Sequence, residues 1–317
     1  MKKQLLLCLL ALVVFGCEGN RPSSSSHPVN GNPPMEHADT VPEKIVEQPI
    51  SSEEAHPVYV LSDEFGERFL LLSYFGEDKN PQVPDGLDGY KYVIYNGCYY
   101  PVLFEGFQLE DAENNTYRET YLNFDNLSGW LFKMQSGKLL EHPVDQFDAV
   151  WSAPLLVDAK FKEENTVYAL SNYENGRVVR SELPEALTAV FETRYGREIY
   201  DGWCNAVFGE NNEYQFINIQ FENKGTEALG ISALLKDGEI VAVIEDPAEW
   251  NEESVWRVDD GGEFGGISID FVTVKDGVLT LYTSNSGPEG TYYQNYVLEG
   301  NELLPGDVTG SFYQSPY

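Results

Sequence analysis

The side chains on which most enzymes rely are sparse in this sequence. Four histidines occur among 317 residues, and only His56 and His142 lie beyond the polar N-terminal stretch. His142 stands in Leu-Glu-His-Pro-Val-Asp, a proline-marked loop pattern that favours a surface side chain. No Gly-x-Ser-x-Gly elbow, His-Glu-x-x-His pair or Gly-Lys phosphate loop is present, which removes the common nucleophile, zinc and nucleotide signatures. Carboxylates are the exception, with 52 Asp and Glu residues. A glycosidase needs two of them at a set separation, but such a pair leaves no fixed spacing in sequence. Trp130, Trp151, Trp203, Trp250 and Trp256 are of the type that stacks on sugar faces, or alternatively fills a β core. Asp259-Asp260-Gly261-Gly262-Glu263 is the densest acidic turn. Its Asp259, Asp260 and Glu263 oxygens suit Ca²⁺, although the spacing is not that of an EF-hand and a solvated turn is the plainer reading. Cys98 and Cys204 are the two cysteines of the body, and outside the cytosol they allow one intramolecular disulfide; the alternative is two separately buried thiols.

The elements that position these residues read as strands. Asn96-Gly97, Asp237-Gly238 and Asp276-Gly277 each divide two apolar or aromatic runs, and Asn175-Gly176 and Gly300-Asn301 follow the same pattern. Such pairs supply the positive φ angles of tight hairpin turns. Tyr214, Phe216, Ile217, Ile219 and Phe221 mark a strand between two of them. The spacing of Leu183, Ala186, Leu187, Val190 and Phe191 predicts one helix near 182–195, capped by Ser181 and stopped by Gly196. This helix marks either a boundary near residue 195 or an insertion in one sheet system. The expected class is mainly β, antiparallel and hairpin-rich, arranged as a β-propeller or as two packed β-rich domains. A faint repeat, Val58 to Phe69 against Val167 to Val178, favours propeller-like modules. Ser62-Asp63-Glu64-Phe65-Gly66-Glu67-Arg68-Phe69 resembles the Asp box of sialidase-like propellers, with Glu64 where Asp is usual and Arg68 where Thr is usual. That resemblance implies a structural turn, supports the fold and leaves catalysis open.

The N-terminal segment speaks to location. Lys2 and Lys3 precede an apolar run from Leu5 to Phe15, and Gly16 stands before Cys17. This is the layout of a signal peptide, and the run falls short of the ~20 apolar residues that span a bilayer. Val14-Phe15-Gly16-Cys17 resembles the lipobox of bacterial lipoproteins, with Phe15 where a small residue is usual. The resemblance implies removal of residues 1–16, acylation of the Cys17 thiol and anchorage in the lipid bilayer through it. Glu18 stands where Asp retains such proteins at the inner membrane, which favours the outer membrane in a Gram-negative cell. Residues 17–55 are rich in Ser, Pro, Asn and Glu and read as a disordered tether, leaving 56–317 as the β-rich body.

Twenty basic side chains against 52 acidic ones give a net charge of −32. Nucleic acid is thereby excluded as a partner, because binding it depends on neutralising phosphates. A cationic protein would be attracted over long range, though acidity also serves solubility alone. Three functions are therefore expected: a lipid-anchored acidic binding module of the cell envelope, possessing no evident catalytic groups; a glycan-binding or glycan-hydrolysing ectodomain; or an inhibitor or immunity protein of a cationic hydrolase. The anchor makes a direct prediction. A palmitate analogue fed to cells will label the mature wild-type chain and will not label Cys17→Ala; equal labelling of the two removes the assignment.

Overall fold

The computed structural model describes residues 56–73, 86–143, 153–174, 177–258, 260–287 and 289–314. The signal segment, Cys17, the tether, Trp151, Asn175-Gly176 and Asp259 lie outside the described residues.

The described residues form nineteen strands and two α-helices. In order they are β1 (Val58–Tyr59), β2 (Leu61–Ser62), β3 (Arg68–Leu72), β4 (Tyr90–Tyr95), β5 (Cys98–Gln108), β6 (Gly129–Met134) and β7 (Leu155–Asp158). Then come α1 (Ala159–Glu164), β8 (Thr166–Tyr168), β9 (Tyr173–Glu174), β10 (Arg177–Val178), β11 (Ser181–Glu182) and α2 (Glu185–Tyr195). The remainder is β12 (Ile199–Phe208), β13 (Tyr214–Phe221), β14 (Glu227–Lys236), β15 (Glu239–Glu249), β16 (Ser268–Lys275), β17 (Val278–Ser286), β18 (Gly290–Glu299) and β19 (Glu302–Tyr313).

Strand pairing is antiparallel throughout, as the hairpin signals require. Asn96 and Gly97 have φ of 41° and 72°, Asp237 and Gly238 52° and 81°, and Asp276 and Gly277 51° and 80°, each pair closing a two-residue turn. The expected propeller blades do not form. A seven-stranded sheet, β1-β7-β4-β5-β6-β3-β2, runs alongside two five-stranded sheets, β11-β12-β13-β14-β15 and β19-β18-β17-β16-β8, and the small β9–β10 hairpin. The seven-stranded sheet is nearly closed and barrel-like, because its two outer strands, β1 and β2, are separated in the chain only by Val60. The two halves of the faint repeat therefore fall in different sheets, β1 in the first and β8 in the last.

Alternation sorts the side chains into layers. Phe208, Phe216 and Leu234 of one five-stranded sheet pack against Ile269, Val272, Leu279 and Leu281 of the other. The next residues along the same strands, Phe271 and Tyr282, point the opposite way and join Tyr59, Leu70, Ile94 and Leu155 of the barrel-like sheet. Helix α2 covers the outer face of the first five-stranded sheet, where Leu187 and Phe191 meet Cys204, Ile217, Ile219 and Ile231. The predicted helical stripe is thus realised in part: Leu187 and Phe191 are buried, Ala186 and Val190 are exposed. Ser181 belongs to β11, Pro184 takes the N-cap position, and Gly196 ends the helix at φ 59°. Because β11 and β12 pair with each other, α2 is an insertion inside one sheet.

The turn that resembles an Asp box joins β2 to β3. Asp63 organises it, its Oδ1 accepting the amides of Phe65 and Glu67 at 3.3 and 2.9 Å. Arg68, in the place of the usual Thr, donates from Nε to Asp63 Oδ2 and from Nη1 to Asp125 Oδ1. The turn is structural, holding a hairpin through one carboxylate.

Candidate functional site

The face of β13 that looks toward the opposing sheet changes character along its length. Phe216 joins the core between the two sheets, but Asn218 and Gln220, the next residues on that face, are amides and are buried to 0% and 5% exposure. Their partner is the segment between β15 and β16. Gln220 Nε2 donates to Gly262 O at 2.8 Å, and its Oε1 accepts the Phe264 amide at 2.9 Å. Asn218 takes both backbone groups of Ile267, donating to its O at 2.9 Å and accepting from its N at 3.1 Å, while Ser232 Oγ donates to the same Oδ1. Asn205 of β12 completes the series by accepting the Ile269 amide at 2.8 Å. Side-chain amides thus do for this segment what a neighbouring strand would do, and leave its amides satisfied in a buried setting. Gly230 makes room for it, since a Cβ there would lie 2.5 Å from the Phe264 ring.

The preceding turn is held by Asp260, which is 6% exposed. Its carboxylate accepts the amides of Val255, Trp256, Arg257 and Gly262 at 2.7 to 3.1 Å. Burial alone would raise this carboxyl, but the four amides outweigh it and hold the group below its ordinary range. Its oxygens are therefore engaged by the chain itself. Glu263 points to the cleft described next, Asp259 lies outside the described residues, and no three Asp, Glu, His or Cys side chains converge as a metal-binding group among the described residues.

Where polar residues replace the apolar core, the sandwich opens into a cleft of about 610 Å³. Tyr200, Asp201 and Trp203 of β12 line it from one sheet, and Ser268, Ser284 and Asn285 from the other. Arg257, Glu263 and Phe264 reach it from the pinned segment, and Arg180 from the chain entering β11. The Arg180 guanidinium lies 4.7 Å from the Trp203 ring centroid, over its face. Trp203 is 7% exposed, and its buried indole N–H has no hydrogen-bond partner among the described residues. Tyr200 is 60% exposed and offers an open aromatic face.

The other residues singled out from the sequence are dispersed. His56 and His142 are both exposed and far apart in the chain, with no shared site. Trp130 is core in the barrel-like sheet, Trp256 packs on Phe264 and donates to Asp246 O, and Trp250 is 39% exposed. The expected Cys98–Cys204 disulfide is not formed, and both thiols are free. Cys98 is exposed beside the β4–β5 turn, whereas Cys204 faces α2 and donates to Ala206 O, with burial pushing its thiol pKa up. They belong to different sheets. No described helix is long and apolar enough to cross a membrane.

Comparison of the chain with family models, curated proteins and solved structures returns no match. The site therefore stands on its own geometry. Arg180, Arg257, Tyr200 and the buried amides escaped the sequence reading; the available signal was Asn218 and Gln220 recurring at every second position opposite an apolar face.

Asp260→Asn tests the pin. One acceptor oxygen and two amide hydrogens replace two acceptors facing four amides, so the variant will lose about 1–3 kcal/mol of stability in urea unfolding. Because the folded carboxyl is depressed, its stabilisation is present above the ordinary aspartate value near ~3.9 and fades as pH falls through the lower folded one. The difference between wild type and Asp260→Asn will shrink over that acid window; a gap that is unchanged, or that grows on acidification, contradicts the assignment.

Proposed function

We propose that this protein is a lipid-anchored, acidic binding protein of the bacterial cell envelope whose polar cleft takes a glycan without cleaving it. The cleft between the two five-stranded sheets carries this reading. Its volume of about 610 Å³ accommodates several sugar rings, and its lining offers amide, hydroxyl and guanidinium groups around the exposed Tyr200. Apolar pockets built for drug-like molecules lack this balance, whereas sugars present hydroxyls at their edges and C–H groups on their faces. Asp201 and Glu263 both line the cleft, and both are exposed. Hydrolysis calls for a carboxyl raised by burial to serve as acid, so exposed carboxylates favour hydrogen bonding to ligand over proton transfer. The lipobox-like Cys17 and the polar stretch that follows it support presentation of the body at a membrane surface.

The second reading, a cationic partner, has an observation of its own. A cleft of about 480 Å³ between the barrel-like sheet and the last five-stranded sheet sets Glu119 and Glu289 beside Tyr59, Tyr292, Phe312 and Tyr313. Two carboxylates on an aromatic surface suit a basic side chain with an apolar stem, and the net charge of −32 would steer it there.

Calorimetric titration with a panel of neutral and acidic oligosaccharides tests the first reading. Saturable binding is expected for some of the panel, weakened about fivefold by Tyr200→Ala as roughly 1 kcal/mol of ring contact is lost, with the oligosaccharides recovered intact. No binding across the panel would contradict the reading. Turnover abolished by Asp201→Asn or Glu263→Gln would replace it with a glycosidase.

A further inference from the structure

The same cleft carries a finer inference, which rests on the glycan reading. Arg180 and Arg257 both line it, and neither guanidinium has a carboxylate partner among the described residues. Arg68 and Arg197, by contrast, are each paired with carboxylates. Neither arginine is loosely held. Arg180 is stacked over Trp203, which orders the guanidinium plane and leaves its N–H edge for an acceptor. Arg257 is fixed at its backbone, where its amide donates to Asp260 Oδ2 at 2.8 Å, so the side chain leaves a pinned turn. Beneath Arg180, the Trp203 N–H is a buried donor without an acceptor among the described residues.

We infer that the cleft recognises a carboxylated sugar, with Arg180 and Arg257 as the carboxylate-binding groups. A guanidinium fork matches a carboxylate with two parallel N–H···O bonds, and charge-assisted bonds of this kind are about twice as strong as neutral ones. The neighbours restrict how much negative charge the ligand carries. Asp201 and Glu263 balance the two arginines, and the chain as a whole is at −32. A polyanion is repelled by both; an isolated carboxylate on an otherwise neutral glycan is not. The ligand class is therefore a uronic-acid-containing oligosaccharide in which acidic and neutral sugars alternate.

The test uses the full mature chain and three probes: an alternating glucuronic acid–N-acetylglucosamine tetrasaccharide, the same tetrasaccharide after reduction of its carboxyl groups to alcohols, and a heparin tetrasaccharide. Calorimetry is expected to give binding of the first that is at least about tenfold tighter than of the reduced form, and no measurable binding of heparin. Arg180→Gln and Arg257→Gln will each weaken the acidic probe about tenfold and the reduced probe by much less, so that the preference for the acidic probe collapses. Both side chains are exposed, so an unaltered thermal unfolding curve verifies that the variants are folded. Equal binding of the acidic and reduced probes overturns the carboxylate inference and leaves the glycan reading standing. Tightest binding of heparin overturns the restriction to isolated charge. Failure of all three probes, together with failure of the neutral panel, overturns the inference and the glycan reading together.

Discussion

Three buried amide side chains set the architecture of this protein's cleft. Asn205, Asn218 and Gln220 bind backbone groups of residues 262–269 in place of a further strand, and each is almost completely withdrawn from water. A buried amide that loses its partner costs about 1–3 kcal/mol, far more than the roughly 1 kcal/mol it contributes when satisfied, so the segment and the strands specify each other. The constraint has a geometric result. Polar residues occupy a face that otherwise forms the core between the two sheets, the sheets are not sealed there, and the opening is lined by whatever the pinned segment presents.

What it presents is charge of the rarer sign. The protein is acidic overall, yet this polar opening draws Arg180 from one side and Arg257 from the other. Asp260 is the connecting device, since the amides that hold its carboxylate belong to the turn that carries Arg257. One carboxylate of the most acidic turn is spent inward, on the backbone, and the outcome is a basic side chain carried on a pinned turn. Tyr200 and Trp203 divide the aromatic work, the first open to solvent and the second buried under Arg180.

The parts of the fold governed by local rules were legible in the sequence. Asn96-Gly97, Asp237-Gly238 and Asp276-Gly277 require positive φ wherever they occur, and each closes a hairpin. The apolar spacing of Leu187 and Phe191 and the stop at Gly196 marked the helix, while Val190 shows the limit: it lies on the same stripe yet is 47% exposed. Sheet membership was not legible, because it depends on pairings between distant strands such as β1 with β7 and β8 with β16. The expected disulfide failed on the same ground: Cys98 and Cys204 are both near strand positions, and nothing in their spacing tells which sheet each joins. The site was hidden by the alternation rule itself. Asn218 and Gln220 read as the solvent face of an amphipathic strand, and only the structure places a backbone segment over them.

Side-chain amides, and not chance packing, hold residues 262–269 on the sheet. Native-state hydrogen exchange of the Phe264, Ile267 and Ile269 amides tests it most directly, since the acceptors of all three are side-chain oxygens. Protection comparable to that of the β16 and β17 ladder is predicted, with Gln220→Ala releasing Phe264 while Ile269 stays protected. Exchange of all three at the rate of an open loop in the unaltered protein would contradict the account.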